Sequence, residues 1–181
     1  MAIGLALIIG TAAVPLAHGG IERAKVVGAA SYLAGRLAAA RMEAVRRSAH
    51  VAIRFLETDA GYSVSTYVDG NDNGVLTRDI ASGADPAISP EERLEHHFPG
   101  VAFCILPSVS AIDRDRPFDA DDPIQIGPTT LVSFNPAGSS TSGTLFVCRA
   151  VGNQFAVRIL GITGRSRVLR FDFGDRQWHT R

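Results

Sequence analysis

An excess of charge of either sign is missing from this chain: Lys and Arg number 18, Asp and Glu number 18, and the formal net charge is zero. A dedicated nucleic-acid binder is expected to be basic overall, so that class loses its simplest support. Cysteine is scarce as well. Cys104 and Cys148 are the two present, which argues against a metal site of their own and leaves one disulfide or two small buried side chains. Tryptophan occurs once, at Trp178, where packing on a sheet is a commoner use than stacking on a base. No serine stands in a Gly-x-Ser-x-Gly setting and no base is paired with one, so nothing supports an enzyme. The longest hydrophobic run, residues 1–17, falls short of the roughly 20 residues that cross a bilayer comfortably, and no basic residue precedes it.

What is present begins with that run. It passes without a loop signal into a charged, Ala-rich segment ending near Ser48, in which Val26, Ala29, Leu33, Leu37, Ala40 and Ala44 recur at three- and four-residue steps. The spacing predicts one long helix over 1–48, apolar all round at first and amphipathic later. Pro15 is expected to kink it rather than end it. A cleaved signal peptide is the competing reading of the run, though Pro15 sits where a cleavage site after Ala17 wants a small residue.

After Ser48 the period changes from helical to alternating. Residues 51–55 and 62–68 read as two strands joined by a hairpin at Thr58–Gly61, and further strands are expected at 101–106, 130–135, 144–150, 155–161 and 166–173. Residues 107–129 read as a long irregular loop. The expected fold is α+β: a long N-terminal helix, its membrane-anchoring run at 1–17, packed through Leu33 and Leu37 on an antiparallel sheet or two-sheet sandwich formed by 49–181.

Four polar stretches invite chemistry. Asp69, Asn71 and Asn73 sit at the alternate positions of a calcium loop with Gly74 close behind, but Ile80 stands where such a loop needs its glutamate. A metal-free Asn-Gly turn is the simpler reading, and no cofactor is expected. His96 and His97, after Glu91, Glu92 and Glu95, read as an exposed polar segment. Asp113, Asp115, Asp119, Asp121 and Asp122 make the middle acidic, while Arg165 to Arg181 is basic, an alternation typical of solvated loops. In an oxidising compartment Cys104 and Cys148 would close a loop of about 45 residues and contribute roughly 3–4 kcal/mol.

The segment Leu37-Ala-Ala-Ala-Arg41-Met-Glu43-Ala44-Val-Arg46 resembles the helix end of the GspH/FimT pseudopilins, with Arg41, Glu43, Ala44 and Arg46 matching their Ala-Arg-x-Glu-Ala-x-Arg pattern. Pro15, the run Asp69–Gly74, Phe134-Asn-Pro136-x-Gly138 and Gly164-Arg165-Ser-Arg167 are similar to the same family in order and spacing. The resemblance implies a minor pilin-like subunit of a type II secretion pseudopilus or type IV pilus tip. It would be held in the inner membrane by a single pass with its β-rich part in the periplasm, and its partners would be other pilin-like subunits. The family's basic leader and Gly-Phe-Thr-Leu-Ile-Glu sequence, cut by a prepilin peptidase, do not stand ahead of the run, and with Pro15 aligned they are expected just upstream of Met1. Some FimT-like members use a Gly-Arg-x-Arg element to hold DNA during uptake. That places Arg165, Arg167 and Arg170 as candidate nucleic-acid contacts in an alternative reading, beside a sheet edge protected by charge. A secreted β-rich protein with a cleaved signal peptide is the second alternative.

Overall fold

The computed structural model describes residues 2–113, 117–149 and 152–181, with helix side chains described from Gly20 onward. The apolar side chains of 1–17, the effect of Pro15, and Asp115 therefore lie outside the described residues.

Helix α1 runs from Ala2 to Arg47. It ends where Ser48 takes a left-handed backbone (φ 53°) and the Ala49 amide bonds back to the Ala44 carbonyl at 3.3 Å, while Arg46 and Arg47 place positive charge against the carbonyl end of the helix dipole. The chain then enters β1 (Val51–Thr58) and turns through Asp59 and Ala60 into β2 (Gly61–Val68). Short elements follow: α2 (Thr77–Ser82), β3 (Glu92–Arg93), α3 (Leu94–His97), β4 (Ala102–Phe103) and β5 (Ile124–Gln125). The remaining strands are β6 (Leu131–Phe134), β7 (Gly143–Arg149), β8 (Asn153–Leu160), β9 (Arg165–Asp172) and β10 (Gln177–Thr180).

All of the strand pairs are antiparallel and they fall into two sheets. One has the order β3-β2-β1-β6; the other has β10-β9-β8-β7-β4, with β5 also pairing β7. Both sheets contribute to the core beneath α1. Val26, Ala30, Leu33, Leu37, Ala40 and Ala44 meet Val51, Ile53 and Phe55 of the first sheet and Val147, Phe155, Val157 and Ile159 of the second. Small residues at 29, 30, 40 and 44 bring the helix backbone close to the strands, and Leu33 and Leu37 fill the space between.

Each sheet's other face carries a smaller apolar cluster, closed by loop residues together with side chains of α2, β2 and β10. Phe146, Ala156 and Leu169 are roofed by Ile105, Ile112, Phe118 and Trp178, and Ala52 and Leu131 by Val75 with Tyr67 and Ile80. This is why the 101–106 strand is shorter than its pattern predicts. Ala102 and Phe103 pair with β7 and the Cys104 amide still donates to the Phe146 carbonyl at 3.2 Å; from there the chain bends over the sheet, and the Leu106 amide donates to the side-chain Oε1 of Gln154 at 2.8 Å instead of to a strand carbonyl. Gln154 is wholly buried. Its amide nitrogen also reaches the carbonyls of Cys104, Val147 and Phe155 at 3.1–3.2 Å, so every polar atom of that side chain is satisfied. Cys104 and Cys148 are bonded, with Cα atoms 5.4 Å apart, and the bridge pins the same bend to β7.

Candidate functional site

The exposed side of α1 is as regular as its buried side. Opposite the seam formed by Val26, Ala30, Leu33, Leu37, Ala40 and Ala44 lies a second one: Ile21, Ala24, Ser31, Gly35, Ala38, Met42 and Val45 are all exposed and all uncharged. Met42 is 60% exposed and Ile21 56%. Most of the charged side chains of this segment are tied elsewhere. Glu22 pairs with Arg149 of β7 and with Lys25, Arg36 pairs with Glu92 and reaches Thr66 Oγ1 at 3.1 Å, and Glu43 binds Arg46 and Arg47 on its own helix. Those two guanidiniums hold the Glu43 carboxyl down at a pKa of about 2. The helix therefore presents a small-residue stripe on which another helix can approach closely, with its charges kept off that stripe.

At the distal end of α1, three separated stretches of sequence converge. The Arg41 guanidinium lies against Gly138 and Gly164, both with positive φ (84° and 59°). A Cβ on Gly164 would come within 2.2 Å of the Gly138 carbonyl oxygen, so only glycine fits where the β8–β9 turn meets the 135–138 turn. The second turn is closed by Asn135, whose side-chain oxygen accepts from the Ser139 amide at 3.0 Å.

The three arginines near the C-terminus do not share a face. Arg165 and Arg167 project, exposed, from the side of β9 that carries Leu169 and Phe171, away from the helix. Arg167 is the cross-strand neighbour of Arg158, which is held by Asp113 and Thr144. Arg170 lies on the opposite side, with Val168, facing α1, and binds Asp172 at 2.8 Å. The Gly174 amide, with Arg170 and His179 nearby, keeps the Asp172 carboxyl below the usual carboxylate range. The basic tail folds back as β10, and Trp178 packs between Phe146 and Phe171 while donating to the Ser110 carbonyl at 2.9 Å.

The 69–79 loop is organised by its own carboxylates. Asp69 accepts from the amides of Asn71 and Gly74, the almost fully buried Asp85 from those of Gly70 and Leu76, and the side-chain nitrogens of Asn71 and Asn73 turn toward Asp79. Bonding from Asn73, with Asn71 and Arg78, lowers the Asp79 pKa. Among the described residues no group of three or more His, Cys, Asp or Glu side chains is placed to hold a metal ion. His97 pairs with Glu92 at 3.0 Å and stacks near Tyr32, a local link between α3, β3 and α1. Sequence reasoning missed Asp85 and Gln154, and read Glu92 only as part of an exposed polar segment where the structure ties it to Arg36 and Tyr32 of α1, because a single polar residue in a loop or strand carries no periodic signal.

Among the described residues no helix is long and apolar enough to cross a membrane, and the 1–17 side chains lie outside that description. No curated protein and no solved structure matches the chain. A family model described as type II transport protein GspH matches residues 29–164, which takes in α1 from Ala29 onward, the first sheet, the β4, β5, β7 and β8 strands of the second and the Arg41, Gly138 and Gly164 junction, and stops just before β9. With its helix laid on two antiparallel sheets and most of its length matched, the chain belongs to the GspH family of type II transport proteins.

Proposed function

We propose that the protein is a non-enzymatic minor pseudopilin whose α1 packs against the helices of other pilin-like subunits in a short filament or tip complex that drives protein export. Family membership carries the coarser part, a pilin-like role in type II secretion. The observation that supports the finer part is the uncharged exposed seam of α1, opposite its buried seam and running from Ile21 to Val45. An isolated domain has no use for Met42, Val45 and Ile21 in water, whereas a helix bundle does. The run at 1–17 is the membrane anchor in this reading, and the β-rich part stands in the periplasm, a compartment in which the Cys104–Cys148 bond forms and persists.

Leu37 and Ala38 test it, being adjacent in sequence but about 100° apart around the helix, one buried and the other exposed. Ala38→Glu puts a charge into the exposed seam, and the expected result is loss of export with an unchanged melting temperature. Leu37→Ala lowers stability itself, by about 2–5 kcal/mol for a fully buried leucine. Wild-type export by the Ala38→Glu variant, produced at normal levels, counts against the reading.

A further inference from the structure

Between the membrane-proximal part of α1 and the β9–β10 hairpin lies a cleft of about 650 Å³. Arg23, Arg170, His179 and Arg181 line it, and Val27 and Phe155 are among its apolar walls; none of the described residues lining it is acidic. Two of the four basic groups are compensated from outside the cleft, Arg170 by Asp172 and His179 by Asp175, each at 2.8 Å. Arg23 and Arg181 are exposed and have no ion-pair partner among the described residues. The cleft thus combines an apolar wall with two guanidiniums, those of Arg23 and Arg181, that pair with no side-chain carboxylate among the described residues, the surroundings that suit a phosphodiester attached to a hydrocarbon chain.

Its height along the helix selects the source of that phosphate. Arg23 follows the end of the apolar run by about six residues, roughly 9 Å of helical rise, and helical side chains lean back toward the N-terminus. The headgroup layer beyond a bilayer's hydrocarbon core is about 5–7 Å deep on each side. A long arginine reaching back from that height meets the layer. Arg181 and His179 arrive at the same level because β10 folds back along β9 toward the helix.

We propose that this cleft seats the headgroup phosphate of an anionic phospholipid, fixing the rotation and height of the β-rich part over the membrane. The inference rests on the anchored orientation of the proposed function. Full-length chain extracted in a neutral detergent is mixed with equal amounts of phosphatidylglycerol and phosphatidylcholine of identical tails, and the lipid retained per chain is read by native mass spectrometry. The expected result is at least a fivefold preference for phosphatidylglycerol, falling below twofold in Arg23→Gln/Arg181→Gln. A control pair, Arg165→Gln/Arg167→Gln, removes the same charge from the far face of the second sheet and should keep the preference; all forms should melt together without lipid.

Several results overturn the proposal: no preference in the wild type, an equal loss in the control pair, or full displacement of the lipid by millimolar inorganic phosphate, which would make the cleft a free-anion site. Displacement by a short DNA duplex, abolished in the Arg23/Arg181 pair, would reassign it to nucleic acid. Fractionation separates this failure from failure of the parent reading. A chain found in the membrane fraction whose lipid preference ignores Arg23 and Arg181 sinks the cleft alone, whereas a chain absent from membranes sinks the anchored orientation as well.

Discussion

Arg41 of α1 donates from Nε to the carbonyl oxygen of Gly138 at 2.8 Å, joining positions 97 residues apart. The aliphatic part of the same side chain passes Gly164, so one arginine fastens the helix to two turns that have no sequence proximity to it or to each other. Arginine at 41 and glycine at 138 and 164 are thus one structural unit.

Breaking that unit should destabilise the fold without touching the exposed seam. Gly164→Ala meets both a positive φ and the Gly138 carbonyl, at a cost of about 2–4 kcal/mol, and Arg41→Ala loses a charged hydrogen bond worth about 1.5–3 kcal/mol. Chemical denaturation of the full chain in detergent measures both. A Gly164→Ala protein as stable as the wild type would show that the two turns do not meet as described.

The disulfide gives a second expectation. Its cysteines are 44 positions apart, and opening a loop of that size costs about 3–4 kcal/mol in the chain-entropy model. Cys104→Ser/Cys148→Ser should lower stability by that order, and reductant should do the same to the wild type and nothing to the double variant. Equal sensitivity of both forms to reductant would remove the bond from the account.

Glu43 predicts a pH dependence at the distal end of α1. Its carboxyl is bound more tightly to Arg46 and Arg47 in the folded state than in the unfolded one, so its folded pKa of about 2 lies below the ordinary 4.5. The stabilisation is therefore fully present above about 4.5 and is lost as pH falls toward 2. Melting temperature followed from pH 6 to 2 should fall less steeply in Glu43→Gln than in the wild type. Parallel curves would refute the contribution.

For DNA, the split of the C-terminal arginines sets the expectation. Arg165 and Arg167 lie side by side on one face while Arg170 is engaged on the other, so a DNA-uptake role would draw on the first two alone. If that alternative holds, Arg165→Ala/Arg167→Ala should reduce both DNA affinity and its salt dependence in a gel-retardation assay, with Arg170→Ala having little effect. The assembly reading expects no retardation at physiological salt in any of the forms.

The repeating features were legible in the sequence. The three- and four-residue spacing of Val26, Leu33, Leu37 and Ala44 gives a helix with one buried face, and the alternation in 51–55 and 62–68 gives a hairpin, because periodicity is a property of consecutive residues. The GspH-like motifs around Arg41, Gly138 and Gly164 were visible as patterns. That they form one contact was not, since nothing local to any of them specifies the other two.

What the sequence determined by itself is the long helix, its buried face, the strand-rich remainder and the family to which they belong. Tertiary structure alone decided the two-residue strands β3 and β5, which exist only because a longer neighbour supplies their hydrogen bonds, and it cut the expected 101–106 strand back to β4. It also decided which of β9's alternating faces, that of Arg165 and Arg167 or that of Arg170, lies against α1, and the return of the tail as β10, which carries Arg181 to the helix. Side chains alternate across a strand, so the faces on which those arginines appear follow from the strand's place in the sheet. The physical reason is the same in each case: local sequence sets the period of burial, whereas the partner of a charge, a turn or a sheet edge is fixed only when distant chain is brought against it.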